Sequence, residues 1–202
     1  MDSVSGCEFV RRQVYGRIQK WRESGDDSAC KAELANLRRG LGYLPGDIPE
    51  LWGSLFGAVY DNPDKCRFFS KDGTPTREEW AIYLALTLFA LHQQSKDIHT
   101  ECMNVEKQGL GRAVRWLVHN DDDEERVRHR FNSVATAQDI SSLAYHLRSL
   151  IQLLSADKIG LDYPQLAADI YRYQNTVQRP RVRLQWGRDF YYKSKTEESQ
   201  EK

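Results

Sequence analysis

Thr76–Gln94 reads TREEWAIYLALTLFALHQQ, and this stretch decides the fold. Thr76 and Glu79 stand three apart at its start, the spacing at which a threonine hydroxyl and a glutamate carboxylate reciprocally cap the free N–H groups of a helix's first turn. Behind them Trp80, Leu84, Thr87, Leu88 and Leu91 recur at helical spacing. Trp80 to Leu91 is the most apolar run in the chain, yet it falls well short of the roughly 20 residues that cross a bilayer. The expectation is a helix buried in a protein core, with other helices laid around it and no membrane partner.

The flanking sequence supplies those helices. On the N-terminal side, Val10, Val14, Ile18 and Trp21 form one apolar stripe that stops at Gly25. A short helix follows, with Ser28 as its expected cap and Gly40 where a left-handed terminal residue is wanted. Pro49 suits the first position of a helix bearing Leu51, Trp52, Leu55, Phe56 and Val59, and residues 62–75 read as a loop. On the C-terminal side, stripes fall at Leu110, Val114, Leu117 and Val118, then at Val127, Phe131 and Val134. Thr136 with Asp139 resembles a second capping box, ahead of Leu143, Leu147, Leu150, Ile151 and Leu154. Asp162 caps a helix through Leu166, Ile170 and Tyr173. Beyond Pro180, Val182, Trp186 and Phe190 are spaced by four and stack on one helical face. The same segment alternates as a strand would, but a lone strand has no partner here. The fold expected is all-α, with about eight to nine helices. It is read as two packed helical lobes, residues 1–109 and 110–192, with a disordered tail at 193–202 that lacks apolar residues.

Composition supports a real core, with 40% hydrophobic, 11% aromatic and 29% charged residues. The 29 basic and 29 acidic side chains cancel, so net charge alone does not nominate a nucleic-acid binder. Their distribution is segregated. Asp121 to Glu125 is an unbroken acidic run, whereas Arg179, Arg181, Arg183, Arg188, Lys193 and Lys195 face only Asp189 near the C-terminus. Four scattered cysteines, Cys7, Cys30, Cys66 and Cys102, form no CxxC pair and follow no secretory signal, which reads as a reduced cytoplasmic protein.

Catalytic and metal patterns are sparse. His92, His99 and Cys102 match no common zinc spacing and read as structural, so neither metal nor cofactor is expected. The acidic run suggests a two-metal nuclease, but consecutive helical residues point to different sides and cannot converge on one ion pair. Its better reading is a solvated helix N-terminus, where acids complement the dipole. No GxGxxG, Walker glycine loop, HExxH or nucleophile elbow is present, which reads against an enzyme. The arginines remain. Arg126 and Arg130 lie one turn apart beside Arg128, and Arg112 with Arg115 precede them. Arg181 and Arg188 fall on the side of their helix opposite Val182, Trp186 and Phe190, so packing would hold a basic array in place. Arginine forks and backbone charge are what phosphate binding requires, although any single arginine reads equally well as solvated surface.

Several ordered pieces carry a resemblance: Leu37-Arg38-Arg39-Gly40, Leu110-Gly111-Arg112-Ala113, Arg130-Phe131, His146-Leu147-Arg148-Ser149-Leu150, Leu161-Asp162-Tyr163 with Leu166, and the run from Arg181 through Trp186-Gly187-Arg188 to Tyr191. Together they resemble the CasB family, the small subunit of the type I-E CRISPR surveillance complex Cascade, over most of the chain. The resemblance implies a two-lobed helical protein without catalysis, present as two copies inside the complex. There it would contact CRISPR RNA, target DNA and other Cascade subunits, steadying the guide–target heteroduplex and the displaced strand. Carried over motif by motif, the implied contacts are Arg38, Arg39, Arg112, Arg128, Arg130, Arg148, Arg181, Arg183 and Arg188, with Arg148 alternatively an internal salt-bridge partner. The cysteines, the acidic run and the zero net charge match nothing in that resemblance. Two rivals stay open: a helical adaptor with no nucleic-acid contact, and a metal-dependent nuclease.

Overall fold

The computed structural model describes residues 5–60 and 68–192 and bears out the all-α expectation. Nine α-helices occur among the described residues: α1 (Gly6–Arg22), α2 (Asp27–Arg39), α3 (Trp52–Tyr60) after a 3-10 turn at Pro49–Leu51, α4 (Arg77–His92), α5 (Leu110–Arg115), α6 (Asp121–Thr136), α7 (Ile140–Ala156), α8 (Tyr163–Tyr173) and α9 (Arg179–Tyr191). The expected tail at 193–202, Cys66 and residues 62–67 of the expected loop lie outside the described residues.

Helix α4 is the axis of the fold. Thr76 accepts from the Glu79 amide while the Glu79 carboxylate accepts from the Thr76 amide, closing the capping box. Beyond it, Ala81 to Ala90 are buried on every side, as a helix that is apolar all round must be. Helices α1, α2, α7 and α8 pack against it, and α1 also lies along α8. Stacked Trp21 and Phe89, 5.7 Å between centroids, and the edge of Tyr163 against Phe89 join three of these helices. The segment at 103–108 is laced to 160–163 by backbone bonds, an isolated Asn104–Leu161 bridge and the Asn104 carboxamide oxygen accepting from the Tyr163 amide. His92, at the end of α4, is buried with Nδ1 2.9 Å from the Tyr163 hydroxyl, and burial pulls its pKa down to about 4.

Three local expectations change. Helix α2 is capped by Asp26, whose Oδ1 accepts from the Ala29 amide at 2.9 Å, and not by Ser28, which falls within the helix. Gly40 has an ordinary right-handed backbone. Its missing side chain serves close approach instead, because a Cβ there would stand 2.8 Å from Leu51 Cδ1 and from the Tyr83 hydroxyl. The left-handed residue is Gly42, at φ +94°. Thr136 belongs to the last turn of α6, where its hydroxyl donates to Asn132, while Asp139 itself caps α7 by accepting from Ser142 at 2.7 Å. Asp162 caps α8 as expected.

Candidate nucleic-acid interface

Helix α9 positions the C-terminal arginines, and its inner face fixes it firmly. Val182, Trp186 and Phe190 are buried. Trp186 stacks on Tyr173 at 5.6 Å and donates from Nε1 to Asp169 Oδ2 at 2.9 Å. Burial lifts the Asp169 carboxyl to about pKa 6, opposed by the hydrogen bonds from Trp186 and Gln165 and by the charge of Arg172. Gly111 lets α5 press against this helix, since a Cβ there would overlap the Trp186 carbonyl oxygen. Arg112, one residue on, is thereby held exposed beside α9.

The expected array of three arginines on α9 splits into two kinds. Arg183 turns inward, donating from Nη2 to the Ala137 carbonyl at 3.0 Å and to the Tyr173 hydroxyl at 3.1 Å. Arg179 joins it, donating to the carbonyls of Tyr173 at 2.9 Å and Gln138 at 2.8 Å. Both guanidiniums lie over the Tyr173 ring. They therefore occupy carbonyls just past the end of α6, where cations complement the helix dipole. Arg181 and Arg188 are exposed instead.

A groove between α6 and α7 gathers more charge. Arg126, His129, Arg130 and Ser133 share one face of α6 because residues three and four apart are neighbours on a helix. They meet Tyr145, His146 and Ser149 from α7 around a groove of about 390 Å³. Arg130 donates from Nη1 to the Ser149 hydroxyl at 2.9 Å, which holds its side chain across the groove. Arg126 pairs with Asp123, one turn back. The acidic run opens α6 behind the Asn120 cap, as its composition led us to expect. Arg128 is exposed but lies off this face.

The remaining arginines lie at the end of α2, Arg38 and Arg39, and on α7, Arg148. Arg38 donates to the Ala90 carbonyl in the last turn of α4 at 3.4 Å, and partial burial lowers its pKa. Arg39 and Arg148 are exposed. Arg148 forms no ion pair among the described residues, so its alternative role as an internal salt-bridge partner has no support there. The same holds for all nine expected contact residues: none pairs with a described carboxylate. Sequence reasoning missed His129, His146, Tyr145 and Ser149, and it noted the 126/130 spacing without placing Arg126 in the set. Among the described residues no group of three or more His, Cys, Asp or Glu side chains is arranged to hold a metal. Burial raises the thiol pKa of Cys7, Cys30 and Cys102, which disfavours the nucleophilic thiolate. No described helix is long and apolar enough to cross a membrane.

Comparison with known proteins gives the surface a context. Residues 33–191 match the family of CRISPR-associated protein Cse2. Among solved structures, CasB from Thermobifida fusca is 32% identical, with a TM-score of 0.71 over 95% of this chain and 100% of that one. CasB from M. ruber, at 24% identity and a TM-score of 0.62, is covered over 97% of its length by 98% of this chain. A Cse2-family protein from Thermus thermophilus, at 20% identity and a TM-score of 0.66, is covered over 97% of its length by 90% of this chain. The latter two show the shared fold. No curated protein sequence matches.

Proposed function

The chain belongs to the CRISPR-associated Cse2 family, and from that premise we propose that it is the non-catalytic small subunit of a type I-E Cascade complex in the cytoplasm. It grips nucleic-acid backbone and so steadies the guide RNA–target DNA heteroduplex and the displaced strand, as part of antiviral defence. One observation carries the reading: Arg130 at the α6–α7 groove, Arg181 and Arg188 on α9 and Arg112 on α5 are exposed on packed helices and have no carboxylate partner among the described residues. Exchange of a DNA duplex for an RNA–DNA heteroduplex is nearly balanced in energy, so modest backbone contacts decide whether the displaced strand stays out. Sequence is read by base pairing, and this subunit needs charge without base specificity. Two copies sit in the complex beside CRISPR RNA, target DNA and companion subunits. Trp116, which ends α5, and Leu184 of α9, 51% and 55% exposed, suit contact with those subunits.

Titrating the isolated chain with single- and double-stranded oligonucleotides across salt tests this. Affinity should fall with salt at a log–log slope of about 0.7 per phosphate contact on single strands, with little dependence on base sequence. An adaptor without nucleic-acid contact shows no binding even at low salt. A nuclease cleaves the same substrates when a divalent metal is added.

A further inference from the structure

On the face of α7 that adjoins the basic groove, residues 40–44, α4 and α7 enclose a second cavity of about 270 Å³. Its lining differs in kind from the basic groove. Trp80, Tyr83 and Leu84 form an apolar back wall, Tyr43 and Tyr145 stand at the opening, and Arg148 is the one fully charged side chain. The wall is fixed, because the Tyr83 hydroxyl donates to the Gly40 carbonyl and Trp80 meets the Tyr83 ring edge-on. The opening is exposed, with Tyr43 at 57% and Tyr145 at 74%. Gly42, in its left-handed turn, leaves room for the Arg148 guanidinium, 4.0 Å from where a Cβ would stand.

We propose that this cavity receives one unpaired nucleobase of a single strand, stacked on Tyr145, with Arg148 on the adjoining phosphate; this rests on the nucleic-acid reading above. Three observations support that occupant. The size fits, since an engineered cavity of about 150 Å³ admits a benzene ring, and drug-sized ligands fill about 300–1,000 Å³. The chemistry fits, because an aromatic platform beside a lone arginine with no carboxylate partner among the described residues presents a π-face and a cation to a ligand that has a π-face and an anion. The path fits as well. Tyr145 lines both this cavity and the α6–α7 groove, so a strand whose phosphates lie along Arg126 and Arg130 reaches the cavity by turning one base over α7.

The test uses the full chain and short oligonucleotides of DNA and of RNA, each with ordinary bases or with an abasic patch of equal charge. A fluorescent adenine analogue, aminopurine, at one position reports stacking. The parent should bind the base-bearing strand more tightly than the abasic one, and aminopurine emission should be quenched on binding. Tyr145→Ala should weaken the base-bearing strand by about five- to one-hundred-fold, leave the abasic strand unchanged and abolish the quenching. Tyr145→Trp should keep all three properties. The preferred strand, DNA or RNA, identifies which source occupies the cavity. Equal affinity for base-bearing and abasic strands overturns the base site while leaving the backbone grip intact. If Tyr145→Ala leaves both strands unchanged but releases companion subunits from the complex, the cavity docks protein and the proposal fails. Absence of binding to any strand at low salt overturns the grip and the base site together.

Discussion

The two faces of α9 carry the same residue type to opposite ends. On the inner face, Arg183 is bound to Ala137 and Tyr173 and Trp186 is bound to Asp169. On the outer face, Arg181 and Arg188 have no acceptor among the described residues. The inner arginine ties α9 to α8 and to the end of α6. The outer pair are exposed charges that the proposed function assigns to nucleic acid. What separates the two kinds of arginine is the presence of an internal acceptor, which neither composition nor local spacing records. The same division runs through the whole basic set, since Arg38 is anchored on α4 and Arg130 is merely steered across its groove by Ser149.

Substitutions that cross this division should have graded effects on stability. Trp186→Ala leaves a cavity between α8 and α9 and removes the donor to Asp169 Oδ2, so it should cost about 3–5 kcal/mol in urea unfolding and deplete folded protein before any binding step. Tyr173→Phe removes the hydroxyl that Arg183 binds and that donates toward the carbonyls of Val134, Ala135 and Ala137. It should cost about 1–3 kcal/mol by the same measurement. A small effect there would mean that α9 is held by apolar contact alone, and that Arg183 is freer than its hydrogen bonds indicate.

The buried carboxyl adds a pH signature. With Asp169 raised from 3.8 to about 6, the folded chain holds a proton between about pH 4 and 6 that the unfolded chain has released. Stability from this group is therefore greatest below pH 4 and declines as pH rises to 6. His92, lowered from 6.5 to about 4, acts in the opposite sense, because there the unfolded chain holds the extra proton and stability is lost as pH falls. In Asp169→Asn the Asp169 contribution is gone while that of His92 stays. Its stability in urea unfolding should drop more steeply than the parent's on acidification from pH 6 to pH 4, by at most about 1.4 kcal/mol per pH unit. Parallel profiles would show that Asp169 is more solvated than its place against Trp186 implies. At the smallest end, the double variant Arg181→Ala/Arg188→Ala should stay within about 0.5 kcal/mol of the parent, because exposed charges contribute little to stability.

Much of this fold is legible in the chain because its signals are local. The capping box at Thr76 and Glu79, the all-round apolar face of α4 and the i, i+4 ladder Val182, Trp186, Phe190 each lie within one helix, so period and spacing suffice. The misplaced caps show where local reasoning fails. Asp26, Asp27 and Ser28 are all competent N-caps, and which one serves depends on how the chain enters α2. Gly40 looks like a helix terminator, but its smallness answers Leu51 and Tyr83, residues far along the sequence. The basic groove was half legible: the spacing of Arg126 and Arg130 announces a shared face, whereas the approach of His146 and Ser149 depends on how α6 and α7 pack. The inward turn of Arg183 is hidden from the sequence for the same reason, its acceptor Ala137 lying 46 residues upstream, just past the end of α6.

The central claim is that the outer arginines are held ready for nucleic acid while the inner ones hold the fold. The most direct test compares displaced-strand reactivity toward a single-strand probe in assembled complexes of equal subunit composition, built with the parent or with Arg130→Ala/Arg181→Ala/Arg188→Ala. The account predicts that the variant assembles and melts like the parent yet leaves the displaced strand markedly less reactive. Equal strand opening by the two complexes would contradict it and return these arginines to ordinary solvated surface.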